Sequence, residues 1–155
     1  MPMPDRLTTA DVACWVLKTR TAPQEVIEDW ARGSSRELRR CLRRSYRVEL
    51  MQPGQRCLLW LSGAVAPGVQ AIGTLTSEAG LRVEQDAAGR EVEVAASLLL
   101  LKEPVSRASL LCDPVVSRAE VLRMPAGSNP SYLTPAAWNS LTEHINPHDR
   151  DRAGW

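Results

Sequence analysis

The chain has 155 residues, 44% hydrophobic and 24% charged, with a formal net charge of +1 and four cysteines. A chain this long buries roughly 68–70% of its unfolded surface, so it can hold a core without a disulfide or a metal. Its composition excludes a disordered or collagen-like chain, and no apolar run approaches the ~18 residues of a membrane span. Residues 1–5 lack the basic-then-apolar pattern of a secretory signal. Cys14, Cys41, Cys57 and Cys112 have no CxxC spacing and read as reduced, buried thiols of a cytoplasmic protein. The net charge hides an asymmetry. Residues 32–47 carry seven arginines against Glu37, a formal charge of +6, and the rest of the chain is −5.

Taken in chain order, residues 1–10 read as a flexible leader. Residues 12–17 form a six-residue apolar run, rich in β-branched and aromatic side chains, which predicts a buried strand ending in Lys18-Thr19-Arg20. Thr21 and Pro23 open a short helix whose stripe is Val26, Ile27, Trp30 and Ala31, stopped by Gly33. Ser34 to Glu37 matches a capping box and predicts an Arg-rich helix to about Arg44, with Leu38, Cys41 and Leu42 as its apolar face. Tyr46, Val48 and Leu50 alternate with Arg47, Glu49 and Met51, the period of a strand.

Pro53-Gly54 turns the chain into residues 57–61, apolar on both faces and so a central strand. Pro67-Gly68 precedes another strand over 69–76, in which Gly73 suggests a bulge or a tight bend. Residues 81–84 and 92–100 flank a hairpin turn at 86–89, with Val92, Val94, Ala96, Leu98 and Leu100 on one face. Residues 106–112 read as a short helix or turn, 119–124 as a last short apolar stretch and 127–130 as a loop. Thr134-Pro135 begins a terminal helix whose Ala137, Trp138, Leu141 and Ile145 face the core. Residues 146–155 read as a flexible polar tail. The expectation is one α+β domain over residues 11–145, a small β-barrel or highly curved sheet with flanking short helices.

Four segments carry a resemblance to a known family. Residues 14–19 (Cys-Trp-Val-Leu-Lys-Thr), with Pro23 soon after, are similar to the aromatic-Trp-Leu-Met-Lys-Ser-Glu-Pro opening of EVE domains. Residues 51–63 resemble the family's Met-Lys-x-Gly-Asp-x-x-x-Phe-Tyr-His-Ser-Asn, and 67–73 its Pro-Gly-Ile-x-Gly-Ile-Ala. Residues 133–138 resemble its Val-Thr-Pro-x-x-Trp. The departures are Arg20 where the family has Glu, Leu61-Ser62-Gly63 for His-Ser-Asn, Gln55 for Asp, and no recognisable Trp-x-Gly-Val-Arg-Asn segment. The resemblance implies a PUA-like curved β-barrel, related to YTH domains, that holds a modified base of DNA or RNA in a pocket.

Reading one base requires unstacking it, at a few kcal/mol, and recovering about 1–3 kcal/mol by stacking on an aromatic face. The candidate base-pocket residues are Trp15, Lys18, Thr19, Trp60, Ser62 and Gly63, completed by Trp30 or Tyr46. The candidate phosphate-binding residues are Arg20, Arg36, Arg40, Arg43, Arg44 and Arg47, because guanidinium groups make bidentate phosphate contacts. The alternative for each tryptophan is the core, and for the arginines a solvated helix face.

His144 and His148 are four apart, but Pro147 lies between them and no carboxylate or thiolate sits at a matching ligand spacing, so no metal is expected. No GxSxG, P-loop or HExxH motif and no paired catalytic carboxylates are visible. The reading is a non-enzymatic nucleic-acid-binding domain without a cofactor or a membrane partner. It stands beside a small-molecule or nucleotide binder or small enzyme on the same scaffold, and a protein-interaction module. The sequence leaves the oligomeric state open.

Overall fold

A computed structural model describes residues 6–63, 65–81 and 91–155. The strands are β1 (Cys14–Thr19), β2 (Ser35–Arg43), β3 (Arg56–Leu61), β4 (Gly68–Leu75), β5 (Gly80–Leu81), β6 (Glu91–Ser106) and β7 (Ser131–Leu133). The helices are α1 (Pro23–Val26), α2 (Arg107–Leu111), α3 (Glu120–Arg123), α4 (Pro135–Thr142) and α5 (Pro147–Ala153). One mixed sheet runs in the order β2-β6-β4-β3-β1-β7, with β5 on β6. Among the described residues only β1 and β3 pair in parallel. The class is the expected α+β, a curved sheet with flanking short helices. The sheet is open: among the described residues no ladder joins its edge strands β2 and β7.

The central strands are apolar on both faces because each face covers a core. On one face Cys14, Val16, Leu58, Trp60, Val69 and Ile72 pack under α2, α3 and α4, through Leu110, Val121, Leu122, Ala137 and Leu141. On the other, Trp15, Leu17, Leu59 and Ala71 pack with Trp30, Met51 and the inward residues of the curled sheet. The even-numbered residues from Val92 to Leu100 belong to that second core, as their alternation predicts. Each fully buried Leu or Val there contributes about 1.5–3 kcal/mol.

Several elements differ from the sequence expectation. Residues 35–43 form a strand, not a helix, and pair along their whole length with β6. Leu38 and Leu42 lie four apart, a spacing that puts two side chains on one face of a helix or of a strand. The exposed backbone of β6 supplies the hydrogen bonds that settle the choice. Residues 46–50 form a 3-10 turn rather than a strand. The helix at Pro23 ends at Val26, and the chain passes through a left-handed residue, Asp29, before Trp30 tucks inward. Gly73 marks a close approach rather than a bulge, since a Cβ there would lie 1.8 Å from the Ser97 carbonyl oxygen. The register shift of β4 against β6 falls between Val69 and Ala71.

Residues 147–153 are helical, Asp149 is fully buried and accepts from the Lys102 N–H, and the Trp155 indole donates to the Gly73 carbonyl. The predicted hairpin turn at 86–89 and part of the leader lie outside the described residues.

The cysteines separate into classes. None of the four is in a disulfide; Cys14 and Cys57 are buried, Cys41 is half-buried and Cys112 is exposed, against the expectation of four buried thiols. Burial pushes both inner thiols well above the ordinary value, and the thiolate is the reactive form. With a thiol reagent in native buffer, Cys112 is expected to react first. Cys14 and Cys57 are expected to react only on unfolding, and their early labelling would contradict the core described above.

Candidate functional site

Because β1 and β3 are parallel and Thr19 pairs with Leu61, both strands deliver their next residues to the same end of the sheet. The Ser62 N–H donates to the Thr19 carbonyl at 2.8 Å and carries the pairing one step further. Beyond it Arg20 and Gly63 splay apart, Gly63 with φ +123°, a backbone setting that suits glycine. Between them lies a hollow in two connected parts. The larger, about 650 Å³, is lined by Ala22, Glu25, Leu61, Val65 and Pro125. The smaller, about 220 Å³, is lined by Lys18, Thr19, Gly127 and Asn129. Arg20, Ser62, Pro125 and Ala126 border both.

One wall depends on a residue the sequence did not single out. The antiparallel pairing of β7 with β1 ends at Val16 and Ser131. Continued two positions further, that register sets Lys18 against Asn129. There the Asn129 side chain replaces the backbone: its Oδ1 accepts from the Lys18 N–H at 3.1 Å and its Nδ2 donates to the Lys18 carbonyl at 3.2 Å. This clasp holds residues 125–129 against the end of β1. An Asn two residues before a three-residue strand is only a weak local signal, so nothing short of the tertiary fold shows it.

Lys18 is nearly buried, and its ammonium donates to the Pro125 carbonyl at 3.4 Å. Burial lowers its pKa from the ordinary value; the nearby Glu120 carboxylate opposes that and the Arg47 guanidinium adds to it. Glu120 is itself engaged. Arg47 grips it with two bonds of 2.8 Å, Ser131 donates to the same carboxylate at 2.9 Å, and Arg47 also donates to the Pro130 carbonyl. Arg47 therefore ties the 46–50 turn to α3 and β7, and its guanidinium lies over the Tyr132 ring at 5.3 Å. Its guanidinium, read from the sequence as a phosphate ligand, is engaged by this network.

The structure gathers Lys18, Thr19, Arg20, Ser62 and Gly63 around the hollow, as their positions after buried strands suggest. It does not bring the rings there. Trp15 and Trp60 sit on opposite faces of the sheet, because Trp15 pairs with Cys57 whereas Trp60 pairs with Lys18. Trp30 is buried on the Trp15 side, its indole bonded to the Ser34 carbonyl. Tyr46 accepts from the Leu7 N–H and stacks under Arg6 at 4.2 Å. The four aromatic residues pack within the fold, and among the described residues no ring lines the hollow.

The remaining arginines lie elsewhere. On edge strand β2, Arg40 is opposite Val94, which is 11 positions along β6 from Val105 at the hollow end. At about 3.3 Å per residue that is up to roughly 36 Å. Arg36 and Arg43 are exposed, Arg39 meets Glu93 at 3.4 Å, and Arg43 stands opposite Glu91. The cluster reads in the sequence as an excess of cations. In the sheet it is partly matched by the acidic residues of β6.

His144 is held by Asp113. Its Nε2 lies 2.8 Å from an Asp113 oxygen that also accepts from Ser140 Oγ, and the other Asp113 oxygen caps Val115 and Val116. Among the described residues no group of three or more His, Cys, Asp or Glu side chains could hold a metal ion. No helix among them is long and apolar enough to cross a membrane.

Fold and site together define a curved α+β domain with a hollow, part apolar and part polar, at the ends of two parallel strands. Comparison with solved structures shows the same fold in other proteins. A protein of Leishmania major matches with a TM-score of 0.64 at 11% identity, covering 87% of this chain and 95% of its own. A protein of Rhodopseudomonas palustris matches with a TM-score of 0.62 at 21% identity, covering 86% and 93%. Human THYN1, in complex with 5-methylcytosine-containing DNA, aligns over 86% of this chain and 99% of its own at 12% identity. Its TM-score of 0.48 does not establish a shared fold. No protein-family model and no curated protein match the chain.

Proposed function

We propose that this domain binds nucleic acid and takes an unusual base into the hollow at the ends of β1 and β3. The observation that carries the reading is the convergence of Lys18, Arg20 and Ser62 on a cavity beside the apolar surfaces of Leu61, Val65 and Pro125. A flat heterocycle needs such apolar walls together with a few placed polar groups. The four segments similar to EVE domains support it. They fall on β1, on the turn and strand of β3, on β4, and on the end of β7 with the start of α4. In the sheet those four strands are consecutive neighbours, and two of them, β1 and β3, end at the hollow.

Without rings in the cavity, base stacking rests on aliphatic and proline surfaces, and recognition falls more heavily on the polar groups. Arg20 supplies phosphate attraction at the site itself. Arg36, Arg40, Arg43 and Arg44 supply at most a distant, sequence-independent field.

The test is binding of a panel of oligonucleotides carrying different modified bases, measured by fluorescence anisotropy at low and moderate salt. The expected result is binding that weakens with salt, prefers one modification, and falls on Arg20→Glu at unchanged stability. Failure of every oligonucleotide to bind at low salt would overturn the proposal.

A further inference from the structure

We propose that the smaller part of the hollow is a phosphomonoester site, so that the domain recognises a nucleotide through a terminal phosphate as well as through its base. The inference rests on the nucleic-acid reading above and specifies which part of the polymer enters. It begins with the accounting of donors in the 220 Å³ compartment. The Thr19 hydroxyl is committed to Thr21 and the Asn129 amide to Lys18.

Three groups are left. Arg20 is exposed, and neither its guanidinium nor the Ser62 hydroxyl has a hydrogen bond to another described residue. Lys18 spends one of its three N–H bonds on a long contact to the Pro125 carbonyl. Two cations and a hydroxyl therefore border one small space that no carboxylate of the described residues lines. Glu120, the acidic group nearest Lys18 in effect, is held by Arg47 and Ser131, and Glu25 lines only the larger compartment.

Unpartnered cationic donors around a small cavity call for an anion. A phosphomonoester carries about −1.5 to −2 charges and three terminal oxygens, one for each free donor group. A backbone phosphodiester carries a single charge and would balance only one of the two cations. The adjoining 650 Å³ compartment supplies the apolar walls for the attached nucleoside, with the Glu25 carboxylate as an acceptor for N–H groups on a base edge. The shared border of Arg20, Ser62, Pro125 and Ala126 is where a sugar would join the two. The same chemistry is presented by a strand end and by a free nucleoside monophosphate.

The experiment compares short single-stranded oligonucleotides bearing a 5′-phosphate, a 3′-phosphate or hydroxyls at both ends, labelled internally. Unlabelled nucleoside monophosphates serve as competitors. Phosphate at one end is expected to tighten binding roughly ten- to hundredfold, the range of charge-assisted bonds to a dianion. That advantage should shrink in Lys18→Met and in Arg20→Gln. Arg20 is exposed and bears no packing, so its variant reports on binding even where the Lys18 variant is poorly folded.

Equal binding of phosphorylated and hydroxyl-ended strands overturns the phosphate site and leaves the nucleic-acid reading standing. Competition by a free monophosphate as strong as that of a phosphorylated strand upholds the phosphate site and overturns the polymer reading. An absence of binding by both kinds of ligand overturns both.

Discussion

Trp15→Ala is expected to lower the unfolding free energy by about 3–5 kcal/mol, the range for removing a large aromatic side chain from a packed core. Trp15 has no exposed surface and packs with Leu17, Trp30 and Leu59. Its indole donates to Gln55 Oε1 at 2.8 Å, the same oxygen that accepts from the Gln52 N–H, while the Gln55 amide donates to the Leu50 carbonyl. The substitution opens a cavity and unties the turn that leads into β3. Chemical denaturation should show an earlier midpoint with little change in slope. Trp15→Phe keeps most of the volume and loses the hydrogen bond, so it should cost about 1–2 kcal/mol. If Trp15→Ala unfolds with the parent protein yet loses ligand binding, the tryptophan belongs to a binding surface and the core assignment is wrong.

Glu120→Gln is expected to cost about 3 kcal/mol. Breaking a buried ion pair from one side costs roughly 3–5 kcal/mol because the remaining charge is left uncompensated. The Arg47 and Glu120 side chains are 15% and 14% exposed, which places this pair at the lower end. The effect carries a pH signature. The Arg47 hydrogen bonds hold the Glu120 carboxyl below its ordinary value, against burial, helped by Ser131 and by the charges of Arg47 and Lys18.

A carboxylate with a depressed pKa stabilises the fold fully above its unfolded value, here near 4.5, and loses that contribution as pH falls through the depressed value. The stability gap between parent and variant should therefore be flat at neutral pH and close in acid. Arg47 is shifted upward, chiefly by the Glu120 hydrogen bonds, and stays charged throughout that window. A gap that persists unchanged into strong acid would contradict the pairing.

These two sites show where sequence patterns carry the structure and where they stop. Six apolar residues in a row before Lys18, and five before Ser62, mark two interior strands, since runs this short and apolar on both faces suit a strand covered on both sides. A polar residue following each run must emerge at a strand end, so Lys18, Thr19, Arg20 and Ser62 were legible as candidates. What could not be read was which way each ring points. Alternation assigns Trp15 and Trp60 to a face only once the β1–β3 register is known, and a shift of one residue would have put them together. The C-terminal tail is a similar case. Residues 147–153 are polar by composition, yet Asp149 finds the Lys102 N–H and Trp155 finds the Gly73 carbonyl, partners distant in the sequence.

The sequence by itself determined the α+β class, the interior strands, the capped helix at Thr134 and the neighbourhood of the hollow. Each of these follows from a local period or from local backbone chemistry. Only the tertiary structure decided that residues 35–43 join the sheet, that the aromatic rings divide between two cores, that Arg47 is consumed by Glu120, and that Asn129 closes the cavity wall. Each of those depends on a partner far along the chain. A spacing of four between Leu38 and Leu42 suits helix and strand alike, and the outcome rests on whether a strand such as β6 has hydrogen bonds to offer.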